Sequence, residues 1–181
     1  MNATTNMTAA LADHPFFSAM PPAALRRLAV HVHRGDYVSG QTIFREGEPA
    51  DRFFLLRRGA VKLDIEVSGR GTVDIEMLGC DSVLGWSWLF SPYQWHMTAT
   101  ATQRTSMLVF DAAVLRALMA SDPVLGYEFM RRLAAIMFDR LQVTRRRLSE
   151  EGGSSHPETL ELPLAAVAGP WAGKRASAAL T

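Results

Sequence analysis

The chain is short of the features that usually announce a function. Its 181 residues hold one cysteine, Cys80, so no disulfide can form within it. That excludes a disulfide-built secreted scaffold and favours a reducing, cytoplasmic setting. The N-terminal stretch MNATTNMTAALADHP has neither a basic start nor an apolar block, and so does not read as a secretory signal. No apolar run approaches the ~18 residues of a membrane span. Lys and Arg number 19 against 18 Asp and Glu, a formal net charge of +1, too little for a general pull on nucleic acid. Catalytic constellations are missing as well. Gly85-Trp86-Ser87-Trp88-Leu89 lacks the second glycine of a nucleophile elbow. His31 and His33 have no cysteine or acid partners that would make a metal site. No enzyme activity and no metal are expected.

What the chain does have is apolar content, 48% of its residues, enough to bury a core. Residues 1–12 are small and polar and read as a loose end. Pro21 and Pro22 introduce a helix whose apolar stripe is Leu25, Leu28, Ala29 and Val32. From about residue 36 the period becomes two. Val61, Leu63, Ile65 and Val67 alternate with Lys62, Asp64, Glu66 and Ser68. After a Ser68-Gly69-Arg70-Gly71 turn, Val73, Ile75 and Met77 alternate with Thr72, Asp74 and Glu76. This predicts a hairpin with one apolar and one solvated face, the acids on the latter. Phe53 to Leu56 and Met107 to Phe110 are buried-strand candidates, and glycines recur between the strands. The fold class read from this is α+β, mainly β, a roll, barrel or sandwich flanked by helices. Asp111 and Asp122-Pro123 are helix-start signals. The second opens a long helix over 123–150, whose seam Phe129, Leu133, Ile136, Met137, Leu141, Thr144 and Leu148 calls for a partner surface. Residues 151–181, rich in alanine, glycine and proline, read as a flexible tail. The predicted organisation is thus a loose end (1–12), a domain (13–122), a long helix (123–150) and a tail (151–181).

The stretch SGQTIFREGEPADRFFLLRRG, residues 39–59, resembles the opening of a cyclic nucleotide-binding domain, with its glycine, Glu46-Gly47, Asp51, aromatic and aliphatic residues and closing Gly59. "HPFFSAMPPAALRRLA" is similar to that family's N-terminal helices, and Arg140-Leu-Gln-Val-Thr144 to the dimer helix of its catabolite activator branch. The resemblance covers about residues 12–150. It implies a jelly-roll-like β-roll, a homodimer paired through the long helix, and places for Arg140 and Thr144 near a bound nucleotide. Solvated or merely packed positions for those two remain equally open.

In that family Leu84-Gly85 would begin the phosphate-binding cassette, where a glutamate accepts a ribose hydroxyl and an arginine neutralises the phosphate. Here the segment GWSWLFSPYQWHMTATA carries three of the chain's four tryptophans. Trp86 stands at the glutamate position. Trp95 stands at the arginine position, or His96 if the loop shifts by one. An indole offers one donor and no acceptor, so Trp86 cannot take the glutamate's role and Trp95 cannot neutralise a phosphate, while His96 could supply charge only when protonated. Two readings follow. Trp86, Trp88, Tyr93 and Trp95 could stack on a planar or apolar ligand, with Ser87, His96, Met97 and Thr98 lining the same pocket. Alternatively the indoles fill the old pocket as core, or form a patch that, with the tail, binds a partner protein. Arg145-Arg146-Arg147 raises nucleic acid, but cations there also suit a helix C-terminus. No recognition-helix pattern follows within residues 151–181, so direct DNA binding is not expected. The expected function is a regulatory or sensor module with a cyclic nucleotide or another planar ligand as candidate. A scaffold subunit and a regulator working with a DNA-binding partner are the alternatives.

Overall fold

The computed structural model describes residues 3–151, and the predicted tail lies outside them. The chain divides into two compact units between Phe138 and Asp139. The first carries three helices, α1 (Ala3–Ala12), α2 (Pro22–Ala29) and α3 (Ala112–Ser121), with a 3-10 turn at Pro15–Phe17. It also carries eight strands: β1 (Val32–Tyr37), β2 (Thr42–Phe44), β3 (Arg52–Arg58), β4 (Val61–Val67), β5 (Gly71–Leu78), β6 (Val83–Leu84), β7 (Thr98–Ala101) and β8 (Thr105–Asp111). The last helix, α4 (Pro123–Glu151), runs on past the division. The strands form two antiparallel four-stranded sheets, ordered β1-β8-β3-β6 and β2-β7-β4-β5. This is the expected β-roll with flanking helices.

The Phe53-Phe54-Leu55-Leu56 run is buried throughout because both faces of β3 are covered. Successive side chains point to opposite faces. Phe54 turns between the sheets, its ring 5.9 Å from that of Phe44. Phe53 turns to the helices, 5.5 Å from Phe16 and 5.3 Å from Phe129. Leu25, Leu28 and Ala29 bury the predicted stripe of α2, while Val32 already belongs to β1, so the strand region opens four residues earlier than expected. Asp111 caps α3 through the Val114 N–H at 2.9 Å.

Two expectations need correction. Residues 3–12 are helical rather than loose: an alanine-rich run favours helix, and Ala10 and Leu11 are buried. The β4–β5 hairpin does not keep one apolar face. Asp64 pairs with Asp74 and Leu63 with Glu76, which leaves Ile75 as an extra residue without a partner in β4. Such a bulge inverts the alternation. Ile75 and Met77 are 38% and 57% exposed, and Glu76 shares the face of buried Leu63. Nor is Asp64 solvated. It is buried, and Lys62 bridges it (3.2 Å) and the facing Asp74 (2.8 Å), separating two carboxylates that would otherwise repel.

Candidate functional site

The cassette segment begins where β6 hands the chain to Gly85, with φ +79°. A Cβ there would lie 2.9 Å from the Trp95 ring and 3.3 Å from the Arg52 carbonyl, so only glycine lets the backbone lie against the indole. Leu84 before it is buried, in register with Phe54. Trp86 follows, half-buried, and leads into a 3-10 turn at Ser87–Leu89.

The tryptophans then take different places. Trp88 is fully buried on the helix side, edge-on to Phe53 (6.2 Å) and Phe129 (6.3 Å). Its carbonyl accepts a hydrogen bond from the Arg116 guanidinium at 3.0 Å. It is therefore core and offers no face to a ligand, contrary to its expected place in the pocket. Trp95 is 3% exposed and lies between the sheets, stacked on Phe44 at 3.9 Å with 15° between the rings. Tyr93 is exposed under the Arg116 guanidinium, 5.3 Å from its ring centre.

Two backbone hydrogen bonds hold Trp95 in place and a third holds Tyr93 before it. The Gly47 N–H donates to the Trp95 carbonyl (2.8 Å), the Trp95 N–H to the Glu48 carbonyl (2.9 Å) and the Ala50 N–H to the Tyr93 carbonyl (2.7 Å). The Glu46–Ala50 turn, legible only as a family motif in the sequence, thus clips the far arm of the cassette. Beyond Trp95, exposed His96 reaches back so that Nδ1 lies 3.2 Å from the Ser87 hydroxyl. Met97 is half-buried, and Thr98 Oγ1 accepts the Glu46 N–H at 3.1 Å. Ser87, His96 and Thr98 therefore share this end of the roll, while Trp88 has left it. From Leu84 to Thr98 the sequence holds no Asp, Glu, Lys or Arg, so the imidazole of His96 is the one side chain of the cassette able to carry a positive charge. Away from this segment, half-buried Glu76, opposite Leu63, was expected on the solvated face because an alternating pattern cannot reveal a bulge.

The residues expected from α4 divide. Phe129 and Leu133 are fully buried in their own chain, where with Leu125 they follow an i, i+4, i+8 stripe. They are not free to pair with a second chain, which corrects their assignment to an interface. Ile136 and Met137 pack half-buried against the same core. Leu141 and Leu148 are 63% and 65% exposed. Arg140 (half-buried) and Thr144 (exposed) belong to the second unit, from Asp139 on.

Residues 34–122 match the family model described as cyclic nucleotide-binding domain. The chain is 28% identical over 141 residues to a CRP-like cAMP-activated global transcriptional regulator of Mycobacterium tuberculosis, covering 77% of this chain and 61% of that regulator. It thus spans about three fifths of that relative's length. The fold is that of a cyclic nucleotide-binding domain from Methylobacillus flagellatus (TM-score 0.72, 18% identity, 87% of this chain and 86% of the other). The Thermus thermophilus catabolite activator protein is also similar (TM-score 0.62, 22% identity, 76% and 63%). Among the described residues no helix is long and apolar enough to cross a membrane. The two-sheet roll, the glycine entry to the cassette and the match over residues 34–122 lead to one conclusion: through these residues the chain belongs to the cyclic nucleotide-binding domain family.

Proposed function

We propose that this chain is a non-enzymatic regulatory module that does not hold a cyclic nucleotide by the family's usual charge contacts, and that it acts as a homodimer joined along α4. The observation that carries the first part is the place of Trp95. Its indole stacks on Phe44 at 3.9 Å inside the roll, in the segment where an arginine would be needed, and Gly85 lies against it. A missing hydrogen bond to a buried polar group costs ~1–3 kcal/mol. A buried charge left without its partner costs ~3–5 kcal/mol. At ~1.4 kcal/mol per tenfold change, the two together remove three or more decades of affinity. Calorimetry of the full chain with cyclic AMP and cyclic GMP checks this. No heat of binding is expected at micromolar nucleotide, and a micromolar Kd for either would overturn the reading.

A second reading, a different ligand in the same place, is favoured by the Ser87–His96 pair and by the partial exposure of Trp86, Met97 and Thr98. These residues would receive a planar group against Trp86 with one hydroxyl and one imidazole to orient it. Native mass spectrometry of the purified protein separates the two. An adduct that His96→Ala loses supports the ligand, and a bare mass supports the filled roll.

A further inference from the structure

Away from the cassette, the outer face of the β1-β8-β3 sheet carries a cavity of about 580 Å³ whose charged lining is Arg34, Arg57, Arg58, Arg104 and Asp36. Register brings the groups together. Arg34 pairs with Leu108, and Ser106 stands between Asp36 on one side and Arg58 on the other, so three adjacent strands contribute to one row. Arg104 comes from the turn between β7 and β8, and the close approach at Gly59 fixes that turn against β3. A Cβ on Gly59, at φ +96°, would lie 2.4 Å from Thr105 Oγ1 and 2.7 Å from the Arg104 carbonyl. Buried Thr105 donates to the Ala60 carbonyl at 3.2 Å, which pins the same segment.

Four guanidiniums therefore face one carboxylate. Arg57 has a long ion pair to Asp13, at 3.8 Å. Arg34, Arg58 and Arg104 have no ion pair or side-chain hydrogen bond among the described residues, and Asp36 lies beyond ion-pairing distance of all four. Four arginines against one carboxylate repel one another, and an anion in the cavity would relieve that. The guanidinium fork suits oxygens in pairs, as a phosphoryl group presents them. The volume falls within the ~300–1,000 Å³ range of small-molecule sites rather than that of a flat protein contact. Asp36 and the Ser106 hydroxyl add acceptors for a donating part of the same molecule.

We propose that this groove is an anion site for an oligophosphate, either an inorganic chain or the polyphosphate tail of a nucleotide, separate from the cassette. Calorimetry of the full chain with sodium tripolyphosphate tests it, with ATP, citrate and duplex DNA as comparison ligands. One site of micromolar affinity is expected at physiological salt, weakened at least tenfold in Arg58→Gln/Arg104→Gln and unchanged in His96→Ala. Both arginines are exposed and without side-chain partners among the described residues, so the double variant should keep the native melting curve. ATP binding more tightly than tripolyphosphate would identify a nucleotide, and equal affinity an inorganic chain. Absence of binding below millimolar tripolyphosphate would overturn the proposal, as would binding that the double variant leaves intact. Equal affinity for citrate would reduce the groove to a general anion patch. Displacement of tripolyphosphate by DNA at the same salt would assign the arginines to nucleic acid instead.

Discussion

Replacing Trp95 by alanine would remove an indole that stacks on Phe44 and lies 6.4 Å from the Phe54 ring, in a place with 3% exposure. Truncating a buried tryptophan costs ~3–5 kcal/mol, because the cavity adds to the lost burial. Urea unfolding should show that loss, whereas truncating exposed Tyr93 should cost little. If Trp95→Ala were as stable as the native chain, the indole would not be core. The sequence made the indoles of this segment conspicuous but not their allotment. Trp86, Trp88 and Trp95 look alike in a line of letters, and only the direction of each backbone bond decides which becomes core. The absence of Asp, Glu, Lys and Arg from Leu84 to Thr98 was fully legible.

Among the elements, the Pro15–Phe17 turn depends on one protonation state. The ring of His14, 2% exposed, accepts the Phe16 N–H at Nδ1 (3.2 Å). Burial lowers its pKa below the ordinary histidine value, with nearby Asp81 opposing and Arg57 reinforcing the shift. A protonated Nδ1 can no longer accept, and the charge would be buried. The unfolded chain then binds more protons than the folded one on the acid side, so stability rises with pH in that range. Full stability is expected above the ordinary imidazole pKa of about 6.5, with a loss as pH falls through it toward the lowered folded value. His14→Asn keeps an acceptor at the cap without the titration. Thermal melts from pH about 7.5 to 5.5 should slope less in that variant, and an unchanged slope would place the titrating group elsewhere. The Phe53–Phe54 pair shows why β3 read well as buried: doubled aromatics in a strand need cover on both faces, and helices on one side with a second sheet on the other supply it. The β4–β5 hairpin read less well, because one extra residue, Ile75, inverts every face after it.

At the scale of the whole molecule, the question is which apolar surface a single chain leaves uncovered. Leu125, Phe129 and Leu133 are used inside the first unit. A different series stays open: Tyr127 (67% exposed), Met130 (39%), Leu141 (63%) and Leu148 (65%). In the sequence, Tyr127, Ala134, Leu141 and Leu148 recur every seven residues, and Met130, Met137 and Thr144 follow three residues after the first three of them. That is the a/d repeat of a paired helix, which buries such residues in a twin. Reading one seam from Phe129 to Leu148 merged two stripes, because periods of 3.5 and 3.6 are hard to separate over so few turns. The distinction gives a sharper test than truncation. Leu141→Glu/Leu148→Glu should give a folded monomer in sedimentation experiments, since both sites are exposed in the single chain and only a partner would suffer. Phe129→Glu should instead unfold the chain, by placing a charge among Phe16, Phe53 and Trp88. A dimer that persists in the double variant would show that the copies meet through another face.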